Sequence, residues 1–211
     1  MTVSRETEAI LMPAEFAKAI PVSRETLDRL KIYADLLVKW QAKINLVGPA
    51  TIPDLWRRHM LDSAQLAAHL PEGPILDLGS GAGFPGLVLA ILRGGPVHLV
   101  ESDVRKCAFL REAARVTGAD VVIHNSRIES LEKFPISAIT ARALAPLSKL
   151  LEWADSFLEE GVQCLFLKGR ACEEELTEAA KDWIMTCERV PSLSDRSGYI
   201  LHLSEVHRGR D

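Results

Sequence analysis

A glycine-dense segment, DLGSGAGFPG at 77–86, is the part of the sequence best suited to hold a ligand. It follows the short apolar run ILDL and precedes a second apolar run, so it lies where a strand passes into a helix. Glycine lets the backbone adopt conformations closed to other residues and approach a bound molecule closely. Because ligands of open α/β sheets bind beyond the carboxyl ends of the strands, we expect a cofactor loop here.

Two cofactors compete for this loop. Gly81, Gly83 and Gly86 match the G-x-G-x-x-G spacing of dinucleotide-binding loops, and Glu101 lies downstream where such loops have a ribose-binding acid. However, Asp77 stands two residues before the first glycine, which gives the D-x-G-x-G-x-G pattern of class I methyltransferases. A loop without an obvious phosphate cradle suits S-adenosyl-L-methionine, which carries no phosphate. The pattern therefore favours S-adenosylmethionine over NAD, although Glu101 would serve either cofactor.

The elements that must position this loop follow an α/β rhythm. Short apolar runs predict parallel strands, and the longer segments between them predict crossover helices. The strands are predicted at 75–78, 97–100, 121–123, 137–140 and 162–167, with a late edge strand at 199–206. The helices are predicted at 86–93, 103–117, 126–132, 146–159 and 171–183. We predict a doubly wound, mostly parallel sheet of the class I (Rossmann-like) methyltransferase type.

The first part of the chain has helical spacing instead. Apolar residues recur at helical intervals from Ser23, a good N-cap, to about residue 46. The sequence GPAT at 48–51 interrupts this pattern, and a second apolar stripe covers 52–67. We predict a helical N-terminal extension at 1–72, packed on a cofactor-binding α/β domain at 73–211.

The net charge argues against general attraction to nucleic acid. It is −4, so RNA binding would depend on a local basic patch or on the shape of a ribonucleoprotein. The densest basic segment contains Lys39, Lys43, Arg57 and Arg58, with Asp54 as the one acid among them. We expect this segment to face RNA, although a solvated face is the ordinary role of such charges.

The cysteines and apolar runs favour a cytoplasmic protein. The four cysteines, Cys107, Cys164, Cys172 and Cys187, are widely spaced and form no C-x-x-C pair, so we expect free thiols and no metal. The first residues, MTVSRETEAILMPAEF, contain no apolar block of signal-peptide length, and no run approaches membrane-spanning length. We expect no membrane contact. We also expect a monomer, because no apolar heptad or unexplained hydrophobic stripe marks an interface.

Several blocks in order carry a resemblance to a known family. They are KWQAKINLVGPAT (39–51), RRHMLDSAQL (57–66), DLGSGAGFPGLVLAI (77–91), ESDVRKCAFLREAAR (101–115), SRIE (126–129), ARALAPL (141–147) and FLKGR (166–170). Together they resemble the bacterial 16S ribosomal RNA guanine-N7 methyltransferases, the glucose-inhibited division protein B family, from about Leu36 to Lys181. Many enzymes share the glycine loop, whereas the N-x-x-G-P-A-T, R-H-x-L-D-S and K-G blocks are much more specific. The resemblance implies a product of 7-methylguanosine in 16S rRNA, made on the 30S subunit or an assembly intermediate.

The loop pattern and the resemblance together give candidate site residues. The cofactor-binding candidates are Asp77, Gly79, Gly81, Gly83, Phe84, Glu101, Ile128, Glu129 and Arg142. Among them, the resemblance implies that Ile128 and Glu129 flank the adenine and that Arg142 closes the site. The substrate- or RNA-binding candidates are Asn45, Arg58, His59, Asp62, Arg105, Lys106 and Lys168. The chain departs from the family's usual Asp at Glu101, which keeps the carboxylate, and from its usual Ser at Ala141, which leaves the arginine.

Arg142 and Lys168 are the catalytic candidates. Guanine N7 has a lone pair and no hydrogen, so its methylation needs no general base and depends on positioning and electrostatics. We expect Arg142 to orient the guanine, and Lys168 and Arg58 to hold phosphate. The expected substrate is an unstacked or loop nucleotide, because a guanine inside a duplex cannot reach a deep pocket.

Plainer interpretations stand beside these. Arg58 and Asp62, four residues apart on a presumed helix, are spaced as an ordinary surface ion pair. His59 would be a hydrogen-bonded core histidine, and Asn45 a helix C-cap. For the chain as a whole, the alternatives are a small-molecule methyltransferase and, from another class, an NAD-binding dehydrogenase or a silent Rossmann module.

Overall fold

The computed structural model describes residues 9–209, and its centre is one seven-stranded sheet. The strands are β1 (Ile75–Leu78), β2 (Val97–Val100), β3 (Val121–His124), β4 (Ala138–Arg142), β5 (Gln163–Lys168), β6 (Trp183–Pro191) and β7 (Tyr199–Arg208). Their order across the sheet is β3-β2-β1-β4-β5-β7-β6. The first five strands run parallel, whereas β7 is antiparallel to both β5 and β6. The predicted doubly wound, mostly parallel sheet is confirmed.

Helices flank this sheet and precede it. They are α1 (Pro13–Ala19), α2 (Arg24–Gln41), α3 (Asp62–Ala64), α4 (Gly86–Arg93), α5 (Val104–Thr117), α6 (Leu147–Ala154) and α7 (Cys172–Ala179). The short helix α3 is part of an irregular helical run, which begins with a 3-10 helix at Pro49–Asp54 and a π-helical turn at Trp56–Leu61 and ends with a 3-10 turn at Gln65–Ala68. Ser23 caps α2 as predicted, since its hydroxyl accepts a hydrogen bond from the Thr26 amide at 3.0 Å.

The strand predicted at 199–206 is confirmed as β7, but its predicted edge position is wrong, and the helix predicted at 126–132 is wrong. The strand at 199–206 was expected at the edge, but β7 lies inside the sheet and β6 forms the edge. The segment 183–191 gives little signal, because along β6 only Trp183 is buried. The helix predicted at 126–132 is a single 3-10 turn, Ile128–Ser130. A helix of seven residues is marginal by itself, and Ile128 and Leu131 of this connection pack partly buried against the core without it.

The core lies in two clusters of buried side chains. One cluster joins the N-terminal helices to α4 and α5 and includes Phe16, Leu30, Leu37, Leu87 and Phe109. The other lies between the sheet and helices α6 and α7. Since the extension shares a core with the α/β part, the boundary at residues 72 and 73 stays a prediction. Two short ranges, 1–8 and 210–211, lie outside the described residues. The first of them begins the predicted extension and holds half of the N-terminal segment MTVSRETEAILMPAEF.

Tyr33 joins the extension to the glycine loop directly. This residue of α2 is fully buried, and its hydroxyl donates a hydrogen bond to the Ala82 carbonyl at 2.5 Å. Its ring lies against Phe84, with centroids 5.4 Å apart. The extension therefore helps to fix the loop. Within residues 9–209, no helix is long and apolar enough to cross a membrane.

Candidate functional site

Two adjoining cavities lie at the carboxyl edge of the parallel strands. The first, here called the loop cavity, has a volume of about 380 Å³ and is lined by the glycine loop. The second, the adjoining cavity, has a volume of about 660 Å³ and lies toward the irregular helical run and the β6–β7 connection. Residues that line both form a shared wall: Leu46, Val47, Arg142, Ala143 and Leu144. Two ligands bound here would meet at this wall.

The glycine loop forms one side of the loop cavity through Gly79, Gly81 and Phe84. Gly79 has φ +63°, and a β-carbon there would come within 2.5 Å of Leu144 at the shared wall. A side chain at this position would therefore be strained and would push into the junction of the cavities. Gly83 does not line the cavity, because it packs beneath the loop near Tyr33 and Leu87.

Asp77 supports the loop from below rather than lining the cavity. It is fully buried at the third position of β1, and the Thr140 hydroxyl donates a hydrogen bond to its carboxylate at 2.8 Å. Burial raises the pKa of Asp77 from 3.8 to about 6, because a low-dielectric environment disfavours the charged form. The side chain of Asp77, a predicted cofactor-binding residue, thus lies beneath the loop and does not line the loop cavity.

Glu101 presents a fixed carboxylate to the loop cavity. One oxygen accepts a hydrogen bond from the Gly81 amide at 2.9 Å, and the other accepts one from the Asp103 amide at 2.7 Å. The residue is only 9% exposed and follows β2 directly. A carboxylate offers about four acceptor positions, so lone pairs remain for the hydroxyls of a ribose. Glu101 therefore faces the loop cavity directly after β2, and its contact with a ribose stays a prediction.

The opposite wall of the loop cavity combines apolar surface with a free hydroxyl. Ile128 and Glu129 line it, and the Glu129 carboxylate accepts a hydrogen bond from the Trp153 indole nitrogen at 2.8 Å. The Ser126 hydroxyl also lies in this wall, buried and without a hydrogen-bond partner among residues 9–209. Such a group needs a ligand or water as its partner. Together with Glu101, these residues fit the predicted S-adenosylmethionine, whose adenine and ribose need apolar walls and a few polar partners.

Arg142 is the main polar side chain of the shared wall. It ends β4, and its guanidinium donates hydrogen bonds to the Arg58 carbonyl at 2.9 Å, the Asp62 carboxylate at 3.3 Å and His59 Nδ1 at 2.7 Å. It also lies over the Phe84 ring, 5.0 Å from the centroid. A guanidinium has five N–H donors, so this bracing leaves donors for a ligand. Three sequence blocks far apart in the chain therefore meet at one side chain.

His59 is a neutral member of this network. Its ring is buried against Phe84, with centroids 4.9 Å apart. Burial, reinforced by the cations Arg142 and Arg58, lowers the pKa of His59 from 6.5 to about 3. Because Nδ1 accepts from Arg142, the proton is assigned to Nε2, which donates to the Thr51 hydroxyl at 2.7 Å. The predicted core histidine thus also lines the adjoining cavity.

Lys168 lies in the wall of the adjoining cavity at the end of β5. Its amino group donates to the Ala145 carbonyl and to the Glu175 carboxylate, each at 2.7 Å, and its side chain is 8% exposed. The same Glu175 oxygen accepts the Leu147 amide at the start of α6. Lys168 is therefore both a cavity residue and one half of a structural ion pair.

Other candidates are less central. Asn45 is exposed, lines neither cavity and accepts a hydrogen bond from Gln41, whereas its neighbours Leu46 and Val47 form the shared wall. Arg105 is exposed and pairs with Asp103 at 3.3 Å, and Lys106 faces the loop cavity rather than an open surface.

The charges around the irregular helical run also differ from expectation. Asp62 pairs with Arg142 rather than with Arg58, whose side chain points into the adjoining cavity region and is exposed. Arg57, which was expected in a basic patch, pairs with Asp54 at 3.2 Å and donates to the Ala9 carbonyl. The basic patch predicted at residues 39–58 is therefore partly used within the protein.

Several lining residues were missed by the sequence analysis. They are Trp153 in the loop cavity and Glu175, Ser192, Ser194, Asp195 and Tyr199 in the adjoining cavity. Tyr199 begins the strand predicted at 199–206, which was an available signal, whereas Trp153 and Glu175 lie on helices. The β6–β7 connection could not be placed there without knowing that β6 exists.

Known proteins resemble this chain along most of its length. The family model for rRNA small subunit methyltransferase G matches residues 26–201. The ribosomal RNA small subunit methyltransferase G of Paramagnetospirillum magneticum is 62% identical over 200 residues, covering 94% of this chain and 98% of that protein. The protein of the same name from Rhodospirillum rubrum is 56% identical over 200 residues, covering 94% of this chain and 100% of that protein.

A solved structure supports the fold. The ribosomal protein L11 methylase of Lactobacillus delbrueckii subsp. bulgaricus superposes with a TM-score of 0.53 at 17% identity, covering 70% of this chain and 79% of that one. At such low identity the likeness concerns the fold alone. It confirms the class I (Rossmann-like) methyltransferase architecture that the sequence predicts.

Proposed function

The chain belongs to the rRNA small subunit methyltransferase G family, and on that premise we propose that it transfers a methyl group from S-adenosylmethionine to N7 of a guanine in 16S rRNA. The observation that carries this proposal is the shared wall between the loop cavity and the adjoining cavity. A cofactor in the first and a guanine in the second would meet beside Arg142. Family membership favours this reaction over a small-molecule methyltransferase, an NAD-binding dehydrogenase or a silent Rossmann module.

The cofactor belongs in the loop cavity. S-adenosylmethionine supplies an electrophilic methyl group carried on a sulfonium. Glu101 binds the ribose hydroxyls, Ile128 and Glu129 flank the adenine, and Gly79 and Gly81 bring the backbone close. Asp77 acts from beneath by holding the end of β1 and the start of the loop.

The guanine belongs in the adjoining cavity, with N7 toward the shared wall. N7 attacks with its own lone pair, so no side chain has to remove a proton. His59 fits such a site, because a pKa of about 3 keeps it neutral at pH 7 and it serves to hold Arg142. Positioning and electrostatic preorganisation then supply the rate.

Arg142 orients the guanine by donating to O6, the acceptor next to N7. Its position in the shared wall brings its remaining donors to both ligands. The Asp62 carboxylate, 3.3 Å away, balances its charge, which matters because the product purine is cationic. Arg58 and the remaining donor of Lys168 hold the substrate's phosphate.

The charge of the protein indicates whether its substrate is naked RNA or a ribonucleoprotein. With a net charge of −4 and with Arg57 engaged within the protein, long-range attraction to RNA is weak. We therefore assign the 30S subunit or an assembly intermediate as the substrate, since a shaped ribonucleoprotein can supply contacts beyond phosphate. The chain acts as a monomer in the cytoplasm.

Arg142 variants test this proposal. Wild-type protein should transfer tritiated methyl from S-adenosylmethionine to 30S subunits that lack their own N7 methylation. In Arg142→Ala, we expect kcat/KM to fall by about 100-fold, the scale of losing one preorganised donor, while cofactor binding remains measurable. Arg115→Ala, which breaks an exposed pair with Glu112 on α5, is the control and should keep full activity.

The possible results separate two claims. Absence of transfer by wild-type protein, with cofactor binding intact, would overturn the proposed function. Full transfer by Arg142→Ala would leave the function standing and remove the role given to Arg142.

A further inference from the structure

The adjoining cavity is lined by carboxylates that the transfer step itself does not use. Glu175 and Asp195 line this cavity and do not line the loop cavity. If guanine N7 faces the shared wall, the six-membered ring extends to the opposite side of the adjoining cavity, and the acids that line this cavity are the candidates to meet it. Its N1–H and 2-amino group are donors, and buried donors need acceptors. The edge that distinguishes guanine from adenine therefore requires an acceptor on this side.

The three acids of the adjoining cavity differ in how far they are already engaged. Both oxygens of Asp62 accept hydrogen bonds, one from Arg142 and the other from Ser194 at 2.5 Å. Glu175 is neutralised by Lys168 and also anchors the start of α6. Both carboxylates therefore already accept structural hydrogen bonds from other parts of the protein.

The Asp195 carboxylate is held in place by hydrogen bonds to one of its two oxygens. Its Oδ1 accepts the Ser197 amide at 2.9 Å and the Ser197 hydroxyl at 2.8 Å, whereas Oδ2 takes no hydrogen bond from residues 9–209. The Asp195 carbonyl accepts the Gly198 amide, and the Ser192 amide bonds to the Gly198 carbonyl, so the connection is a closed turn. The hydrogen bonds from Ser197 also keep the pKa of Asp195 below its usual range. The carboxylate is therefore ionised, oriented and able to accept.

We propose that Asp195 is the specificity-determining residue that accepts hydrogen bonds from N1–H and the 2-amino group of the guanine, an assignment that rests on the proposed function. The same contact aids the chemistry. Transfer forms the N7–carbon bond with the N7 lone pair and breaks the carbon–sulfur bond, whose electrons remain on sulfur. No proton moves, and the positive charge passes from sulfur to the purine. A carboxylate on the donor edge stabilises that developing charge, and its effect is larger in the transition state than in the bound substrate.

The test uses a substrate that lacks only the 2-amino group. The nucleotide that wild-type protein methylates is first located, and 30S subunits are then reconstituted with 16S RNA carrying either guanosine or inosine at that position. Inosine keeps N7, O6 and N1–H, so the nucleophile is unchanged. The proteins compared are wild type, Asp195→Asn, Asp195→Ala and Glu160→Gln. Glu160 is an exposed acid before β5, at the opposite end of the strand from the site, and serves as the charge-matched control.

We expect wild-type protein and Glu160→Gln to methylate the inosine substrate roughly 10- to 100-fold more slowly than the guanosine substrate, the scale of one charge-assisted hydrogen bond. Asp195→Ala loses the acceptor for both N1–H and the 2-amino group, so its activity on guanosine should fall by at least this factor, and it should treat both substrates alike within about threefold. Asp195→Asn keeps an Oδ1 acceptor for Ser197, so it should preserve the turn and cofactor binding while losing most of the discrimination.

Two results would overturn the assignment. One is a wild-type enzyme that methylates inosine as fast as guanosine, and the other is an Asp195→Ala enzyme that still discriminates fully. If wild-type protein made no 7-methylguanosine on the guanosine substrate, the proposed function itself would fail, and this assignment with it.

Discussion

At the scale of single residues, the site is organised by which polar groups find partners. The sequence blocks contain Arg142, His59 and Asp62, but they do not show which of them pair. Spacing along a helix predicts Arg58 with Asp62, whereas the structure pairs Asp62 with Arg142 from a strand 80 positions away. Local spacing cannot decide between a neighbour and a distant partner, because the distant partner exists only once the sheet has formed.

The burial of a single side chain is a second property that the sequence does not reveal. The motif makes Asp77 a cofactor-binding candidate but does not reveal that its side chain lies beneath the loop, fully buried beside Thr140. Its pKa of about 6 lies above the value of about 3.8 expected for an exposed aspartate, so the folded protein binds a proton more tightly there than the unfolded chain does.

This difference predicts a dependence of stability on pH. Between about pH 4 and pH 6 the folded state holds more protons at this site, so the contribution of Asp77 to stability falls as pH rises through that range. Asp77→Asn, which is neutral and of similar shape, should remove this fall. The free energy of unfolding of wild type, relative to the variant, should decline by up to about 3 kcal/mol between pH 4 and pH 7. Urea unfolding of both proteins across this range measures it.

Other titrating groups, including His59, are common to both proteins and cancel in the difference. Parallel stability curves for wild type and Asp77→Asn would show that the aspartate is not stabilised in its neutral form. The raised pKa of Asp77 would then be wrong.

At the scale of elements, strands with strong apolar runs were predictable and the weak edge strand was not. Strands β1 and β2 match their predicted bounds, because each is a short run of buried residues between turns. Strand β6 was missed because most of its residues are exposed and give no alternation. This omission also concealed the β6–β7 connection, which brings Asp195 to the site.

Gln65 fixes that connection across the molecule. This buried residue of the irregular helical run accepts the Leu193 amide at 2.7 Å and donates to the Ser192 hydroxyl at 3.1 Å. The glutamine therefore links one wall of the adjoining cavity to the other.

Replacement of Gln65 by methionine tests the link. The Leu193 amide would lose its acceptor, which costs about 1–3 kcal/mol locally, so the connection should loosen. We expect a higher KM for 30S subunits, an unchanged Kd for S-adenosylmethionine and faster amide hydrogen exchange at Leu193. Gln163→Met is the matched control, since it removes a side-chain hydrogen bond to His202 at the other end of β5. Equal KM values for the two variants would contradict the role given to Gln65.

At the scale of the whole molecule, charge and shape limit how RNA is recognised. The protein is acidic, and cations near the adjoining cavity, Arg58, Arg142 and Lys168, are accompanied by the acids Asp62, Glu175 and Asp195. Such a balanced site provides orientation rather than long-range attraction. The N-terminal helices support the site from outside the sheet. They share a core with α4 and α5 and hold the glycine loop through Tyr33.

The identity of the methylated nucleoside decides whether the chain is a guanine-N7 methyltransferase. Tritiated S-adenosylmethionine is incubated with wild-type protein and either 30S subunits lacking their own N7 methylation or naked 16S RNA, and the RNA is digested to nucleosides. We expect the label to elute as 7-methylguanosine, with the 30S subunit as the better substrate. Label in any other nucleoside, or none in the presence of demonstrated cofactor binding, would contradict it.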